Sequence, residues 1–233
     1  MYFYYDWTYL LVLVGVVFSL IASGLVNSTF SKYAKVRNMS GMTGAEAAER
    51  VLHRAGIYDV RIERVSGNLT DHYDPRTKVL RLSDSVYGQT SVAAVGVAAH
   101  ECGHAIQHAK GYGPLVLRST LVPIANFGSK LAWPLILLGL FINSESSYFL
   151  IQLGIIAFST AVLFQVVTLP VEFNASNRAI RMIADAGIMQ GEGIRGARKV
   201  LNAAAPTYVA SAATAILQLV RISLRTGGRR RND

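Results

Sequence analysis

Long apolar runs without charged residues place the strongest constraint on how this chain can fold. Residues 10–26 and 146–171 contain no charged side chain, and the only charge in residues 119–143 is Lys130. A helix needs about 20 apolar residues to cross a bilayer, so each run is close to a spanning length. Apolar residues make up 52% of the sequence and charged residues only 16%, too few charges for an ordinary soluble enzyme. The sequence therefore predicts a membrane protein with three spans.

The basic residues predict how these spans are oriented. The net charge is +9, and Lys32, Lys35 and Arg37 directly follow the first apolar run. The positive-inside rule places such residues in the cytoplasm, with the N-terminus outside. The basic segment that precedes the apolar part of a cleaved signal peptide is missing, so we expect an uncleaved anchor. A nucleic-acid partner is not expected, because the chain has neither a basic stripe with stacking aromatic residues nor a known binding module.

A His-Glu-x-x-His motif stands at residues 100–104, between the first two predicted spans. Residues four apart share one face of a helix, so His100 and His104 can direct both imidazoles at one metal ion. Glu101 lies beside that face, where it can take a proton from a water activated by the metal. Cys102 is expected to point away from the ligands as an ordinary buried residue. The motif predicts a catalytic zinc site, with satisfied core histidines or a structural metal site as the alternatives.

The segment before the motif predicts a small soluble domain. Residues 43–46 have the pattern of a capping box and begin a helix that stops at Gly56. Residues 60–65 and 78–83 are predicted to form the two strands of a hairpin, joined by a turn-rich stretch that contains His72. An edge strand of this kind can hold an extended peptide by adding it to the sheet.

Glu172 is the best candidate for a third zinc ligand, since catalytic zinc usually takes three protein ligands. It is the first charged residue after the last predicted span, and Pro170 suits the first turn of a new helix running to about Gly187. The alternative is a carboxylate that only complements the helix dipole. His108 lies one turn beyond His104, but three ligands from one straight helix fit a tetrahedral ion poorly. We therefore expect His108 to support the site or to lie at the surface.

Several separate stretches carry a family resemblance. They are His100-Glu-Cys-Gly-His104 with the adjoining Gln107-His108, the stretch Thr70-Asp-His-Tyr-Asp-Pro-Arg76, and the stretch Leu169-Pro-Val-Glu-Phe-Asn-Ala-Ser176. In order and spacing they resemble the YugP-type neutral zinc metallopeptidases of prokaryotic membranes, and the resemblance covers most of the chain. It extends more distantly to the HtpX-type gluzincin membrane proteases, in which the glutamate of a Glu-x-x-x-Asp motif is the third zinc ligand.

The chain departs from the gluzincin pattern at Ser176, where the relatives carry the aspartate. That aspartate orients a zinc-binding histidine, so a partner for the histidine must come from elsewhere. Asn174, Asn177 and Asp185 are the candidates.

The predicted fold is mainly α with a small β-hairpin or sheet, a zincin-like metalloprotease domain combined with about three transmembrane helices. Residues 1–30 would form the anchor, 31–118 a cytosolic half with the motif helix, 119–171 a transmembrane hairpin, and 172–233 a cytosolic helical half with the third ligand and a basic tail. The hairpin would turn at the polar residues 143–147. Residues 201–220 are uncharged, but a fourth span would place the arginine-rich tail outside. We therefore expect a helix packed on the catalytic domain, and a tail, including residues 229–231, that binds anionic lipid.

The predicted function is hydrolysis of peptide bonds by a zinc-activated water, with Glu101 as general base, at the cytosolic face of a prokaryotic plasma membrane. The cofactor is Zn²⁺, and the partners are the lipid bilayer and a peptide or membrane-protein substrate; the residues predict no oligomeric state and no regulatory partner. Candidates to support the ligands or to stabilise the oxyanion are His72, His108, Arg178 and Tyr208.

Two other interpretations remain open. One is a non-catalytic membrane scaffold with a structural zinc, and the intact Glu101 argues against it. The other is a zinc hydrolase acting on a non-peptide substrate. The motif does not exclude that activity, although the predicted edge strand favours an extended peptide.

Overall fold

The structure is a computed structural model that describes residues 7–142 and 146–227. These residues are mainly helical, which confirms the predicted fold class. The elements in chain order are α1 (Tyr9–Ala34), α2 (Gly44–Arg54), β1 (Arg61–Val65), β2 (His72–Asp74), β3 (Val79–Ser83), α3 (Val92–Ala109), α4 (Gly113–Phe141), α5 (Ser146–Asp185) and α6 (Glu192–Gly227). Residues 143–145 of the predicted polar turn and the arginines of the tail at 229–231 lie outside the described residues.

The chain forms two compact units. Among the described residues, one unit contains 7–21, 117–142, 146–169 and 207–227. The other contains Ala22–Val116 and Pro170–Pro206. The His-Glu-x-x-His motif and Glu172 both belong to the second unit.

The first unit consists of apolar helical segments. By length and composition α1, α4, α5 and α6 could each cross a membrane, one more than the three spans expected. Helices α4 and α5 pack against each other. A Cβ atom added at Gly139 would lie 2.7 Å from a side-chain carbon of Ile151, and one added at Gly154 would lie 3.0 Å from the Ala132 carbonyl oxygen. Small residues thus let these two helices approach closely, as is common between membrane helices.

The expected packing of residues 201–220 of helix α6 on the catalytic domain stays a prediction. The residues from Thr207 onward belong to the first unit. There α6 packs on α1: Thr214 Oγ1 donates a hydrogen bond of 3.3 Å to the Gly15 carbonyl. The guanidinium carbon of Arg221 lies 4.1 Å from the centre of the Tyr9 ring. This cation–π contact gives the charge a favourable partner at the end of an apolar helix.

Pro170 lies inside a helix instead of at the start of one. The predicted new helix beginning at this residue is wrong, because α5 continues through Pro170 and ends at Asp185. Proline favours the first turn of a helix, but apolar surroundings favour uninterrupted backbone hydrogen bonding and tolerate a proline in the interior. Glu172 is therefore carried by a helix that begins at Ser146.

The sheet of the second unit has three strands in the order β1-β3-β2. Strands β1 and β3 are parallel, with Arg61 opposite Val79, so the predicted hairpin between them is wrong. Strand β2 comes from the stretch predicted to be a turn, and it pairs antiparallel with β3. Asp74 closes the turn between them by accepting hydrogen bonds from the Arg76 amide and the Thr77 hydroxyl, at 2.9 and 2.7 Å. A strand of three residues is too short to show a period in the sequence.

Helix α3 forms the buried centre of the second unit. Cys102 is fully buried, and its Sγ lies 3.5 Å from the Ala48 carbonyl of α2. Burial raises the pKa of the Cys102 thiol, and the burial agrees with the prediction of an ordinary buried residue. The capping box of α2 is confirmed: Thr43 Oγ1 accepts from the Glu46 amide at 3.2 Å, and Glu46 Oε2 accepts from the Thr43 amide at 2.8 Å.

Candidate metal centre

Two helices of the second unit bring three metal-ligating side chains together. His100 and His104 lie on one face of α3, and Glu172 faces them from α5. Oε2 of Glu172 is 3.3 Å from His100 Nε2 and 3.5 Å from His104 Nε2. One ligand atom from each residue lies within 4.8 Å of the other two. The two imidazole rings are nearly perpendicular, at 87°.

The donor atoms and their spacing fit Zn²⁺. Zinc binds imidazole nitrogen and carboxylate oxygen at distances that place tetrahedral donor atoms about 3.3 Å apart. The measured separations of 3.3 and 3.5 Å match this value. The three residues are buried, with exposed fractions between 5 and 9%. Among the described residues no fourth His, Cys, Asp or Glu joins the group, and three protein ligands are typical of catalytic zinc rather than of a closed structural site.

The other nitrogen of each imidazole contacts a polar side chain. Nδ1 of His100 is 3.1 Å from Ser176 Oγ, and Nδ1 of His104 is 3.0 Å from Gln107 Oε1. Contacts of this kind orient metal-binding histidines. The structure thus gives these positions to Ser176 and Gln107, and not to the predicted Asn174, Asn177 or Asp185.

Both partners carried a signal that the sequence analysis missed. Gln107 is three residues from His104 on the same helix, a spacing at which side chains meet. Ser176 is four residues from Glu172, so it occupies the place of the aspartate in the related motif. A hydroxyl can contact an imidazole nitrogen as a carboxylate does. Asn177 and Asp185 are exposed.

Glu101 lies next to the ligands without belonging to their group. It follows His100 on α3 and is only 9% exposed, and its carboxylate is not among the three converging donors. One residue along a helix corresponds to a rotation of about 100°. Glu101 is therefore beside the ligand face and not on it.

His72 and His108 lie outside the group of three ligands. His72 begins β2, is exposed, and has its Nδ1 2.9 Å from the Thr70 carbonyl. His108 is exposed on α3, with its Nδ1 2.9 Å from the Tyr73 hydroxyl of β2. Burial, with a further contribution from nearby aspartates, raises the pKa of Tyr73 to about 12. The hydrogen bond between the Tyr73 hydroxyl and His108 Nδ1 ties the edge strand β2 to the motif helix.

The other two candidate residues are Arg178 and Tyr208. Arg178 Nε donates to Asn174 Oδ1 at 2.7 Å, and its guanidinium carbon lies 5.7 Å from the centre of the Tyr112 ring. Tyr208 is half-buried on α6 and belongs to the first unit. The roles predicted for Arg178 and Tyr208 stay predictions.

Gly103, inside the motif, allows α3 and α5 to approach. A Cβ atom at this position would lie 2.6 Å from the Ala175 carbonyl oxygen and 3.0 Å from its Cα. These are backbone atoms of the helix that carries Glu172, so they cannot move aside by a change of rotamer. The absence of a side chain at Gly103 therefore helps to keep the two histidines within reach of the carboxylate.

Gly103→Ala is expected to destabilise the protein by about 1–3 kcal/mol, as overpacking does, and to weaken zinc binding by shifting α5. Gly96→Ala is the matched control on the same helix, because its added Cβ would meet Ala197 at an ordinary 3.5 Å. Thermal unfolding and zinc affinity of the two purified variants check this prediction. Equal behaviour of the two variants would contradict it.

Two comparisons with known proteins extend over this site. A protein-family profile described as "Putative neutral zinc metallopeptidase" matches residues 8–226. The chain is also similar to the "Putative membrane protease YugP" of Bacillus subtilis (strain 168), with 52% identity over 196 residues that cover 84% of this chain and 86% of that protein. No solved structure matches the chain significantly.

Proposed function

Because the chain belongs to the neutral zinc metallopeptidase family, we propose that it is a membrane-anchored zinc endopeptidase. Its active site would consist of His100, His104 and Glu172 as zinc ligands and Glu101 as general base. The observation that carries the proposal is the convergence of three buried donor atoms beside a glutamate outside their group, with the carboxylate oxygen at tetrahedral spacing from both imidazole nitrogens. A purely structural site would have no need of that additional carboxylate.

The side chains suggest a division of labour in peptide hydrolysis. Bound zinc would supply Lewis-acid chemistry, polarising the scissile carbonyl and the attacking water. Glu101 accepts one proton as the water oxygen forms its bond to the carbonyl carbon. When the carbon–nitrogen bond breaks, Glu101 passes that proton to the leaving amine. The carboxylate is thereby regenerated, and the products are one carboxylic acid and one amine.

The open edge of the sheet suggests where an extended substrate binds. Among the described residues β2 pairs only with β3, so its other edge can accept a further strand. The hydrogen bond between Tyr73 and His108 holds this strand against α3, one helical turn beyond His104. A peptide added to β2 would therefore run beside the motif helix. This placement favours a peptide over a non-peptide substrate.

The order of charges along the chain supports a cytosolic active site. Lys32, Lys35 and Arg37 follow the apolar part of α1, and the motif lies in the same segment before α4. The positive-inside rule assigns this segment to the cytoplasm. Membrane proteins and their cytosolic segments are the substrates that such a location favours.

Membrane vesicles of both orientations test the activity and the orientation together. Inverted vesicles from bacteria that express the chain are expected to cleave added casein, whereas right-side-out vesicles leave it intact. The chelator 1,10-phenanthroline should stop cleavage, and added Zn²⁺ should restore it, because the three ligands hold the ion reversibly. Vesicles carrying Glu101→Gln give the background. Cleavage by right-side-out vesicles alone would overturn the orientation, and detergent-solubilised protein without chelator-sensitive cleavage would overturn the peptidase.

A further inference from the structure

We propose that Gln107 is a positioning residue that sets the tautomer of His104 and links the two helices that carry the metal ligands. The proposal rests on the zinc site of the proposed function. Gln107 is fully buried, and its side-chain amide makes three polar contacts. Oε1 lies 3.0 Å from His104 Nδ1, and Nε2 donates to the Val171 carbonyl at 2.8 Å and to Asn174 Oδ1 at 3.0 Å.

The Val171 carbonyl determines which way the Gln107 amide points. A backbone carbonyl can only accept hydrogen bonds, so the group that faces it must be the NH₂ of the glutamine. The other end of the amide, Oε1, then necessarily faces His104. Oε1 can only accept, so Nδ1 of His104 must carry the proton. The neutral imidazole then has its lone pair on Nε2, the atom that lies 3.5 Å from Glu172 Oε2.

Asn174 is held in the same way. Its Oδ1 accepts from Gln107 Nε2 and also from Arg178 Nε, at 3.0 and 2.7 Å. A flipped Asn174 amide would place its NH₂ group in front of these two donors, and an NH₂ group cannot accept a hydrogen bond. Arg178 therefore forms, in this proposal, the far end of a chain of hydrogen bonds that begins at His104.

The partner of His100 does not fix the tautomer of this histidine in the same way. Its Nδ1 contacts the Ser176 hydroxyl at 3.1 Å, and a hydroxyl can either donate or accept. Ser176 is therefore compatible with either tautomer of His100, whereas Gln107 is compatible with only one form of neutral His104. The hydrogen-bond partners at this site thus fix the tautomer of His104 but allow both tautomers of His100.

Gln107 also connects His104 to the third ligand. Val171 directly precedes Glu172 on α5, so the hydrogen bond from Gln107 Nε2 reaches the neighbouring peptide unit. One side chain on α3 thereby fixes a ligand on its own helix and anchors the backbone beside the ligand on the facing helix.

Two substitutions at this position separate positioning from packing. Gln107→Met keeps the shape of the side chain but removes every polar atom. Gln107→Glu also loses the amide donor to Val171, yet keeps an oxygen that can accept from His104 Nδ1. If positioning matters, Gln107→Met weakens zinc binding by about 10–100-fold, the usual cost of losing such a partner, and Gln107→Glu binds zinc more tightly than Gln107→Met.

The readouts are zinc affinity, by competition with a chromophoric chelator, and the visible spectrum of the Co²⁺-loaded full-length protein in detergent. If the two variants lost zinc affinity equally, or if Gln107→Glu bound zinc more weakly than Gln107→Met, Gln107 would only hold the two helices together. Wild-type affinity and an unchanged Co²⁺ spectrum in Gln107→Met would also overturn the proposal, while leaving the zinc site intact. A wild type that binds no zinc would instead overturn the proposed function.

Should Gln107→Met fail to fold, the Co²⁺ spectrum of Gln107→Glu decides between the two roles. A spectrum like that of the wild type supports positioning, and an altered spectrum contradicts it.

Discussion

Glu101→Gln is expected to abolish peptide cleavage while leaving about one zinc ion bound per chain. The substitution keeps the size and shape of the side chain, but an amide cannot accept and return the proton of the attacking water. General base catalysis contributes about 10²–10⁴-fold to such reactions, so kcat should fall by at least that factor. Zinc should stay bound because the Glu101 carboxylate is not one of the three converging donors.

Zinc content by elemental analysis and cleavage of a quenched fluorescent peptide, measured on the same preparation, check this prediction. Glu49→Gln is the matched control, since it makes the same chemical change at an exposed position of the same unit. Full activity in Glu101→Gln would remove the general base from the mechanism. Zinc binding without any cleavage, in wild type and variant alike, would favour the membrane scaffold with a structural metal.

The parts of the site that depend on local geometry could be predicted from the sequence. The spacing of His100 and His104 already places both on one face, because the pitch of a helix does not depend on the rest of the fold. Glu172 could be identified as a candidate because charged residues are rare near membrane spans and a third ligand was required. The structure brings it to the two histidines, although its role as a ligand stays a prediction.

The parts that depend on tertiary contacts could not be predicted. Strand β1 pairs parallel with β3, and β2 pairs antiparallel with β3 on its other side. Alternation along a strand carries no information about its neighbours. Pro170 was misplaced because a local preference for the first turn yields to the continuity of a long apolar helix. The role proposed for Gln107 depends on the Val171 carbonyl, 64 residues away in the chain, so no local pattern indicates it.

Glu172→Ala is expected to remove zinc from the purified protein. Zinc sites in small domains are worth about 10–16 kcal/mol in total, so one ligand accounts for several kcal/mol. Each 1.4 kcal/mol is a factor of ten in affinity, and the loss should therefore reach at least about a hundredfold. Two neutral imidazoles would remain, without the negative charge that balances the ion. Cleavage should be lost together with the metal, unlike in Glu101→Gln, where only cleavage is lost.

Two further variants make this measurement decisive for the third ligand. Glu172→Asp keeps the charge on a shorter side chain, so it should bind zinc more tightly than Glu172→Ala and less tightly than wild type. His108→Ala should bind zinc as wild type does, because His108 is exposed and contacts Tyr73. If Glu172→Ala instead kept its zinc while His108→Ala lost it, the third ligand would be His108 on α3. The ion would then be held by one helix alone, and the approach of α5 at Gly103 would serve only to pack the two helices.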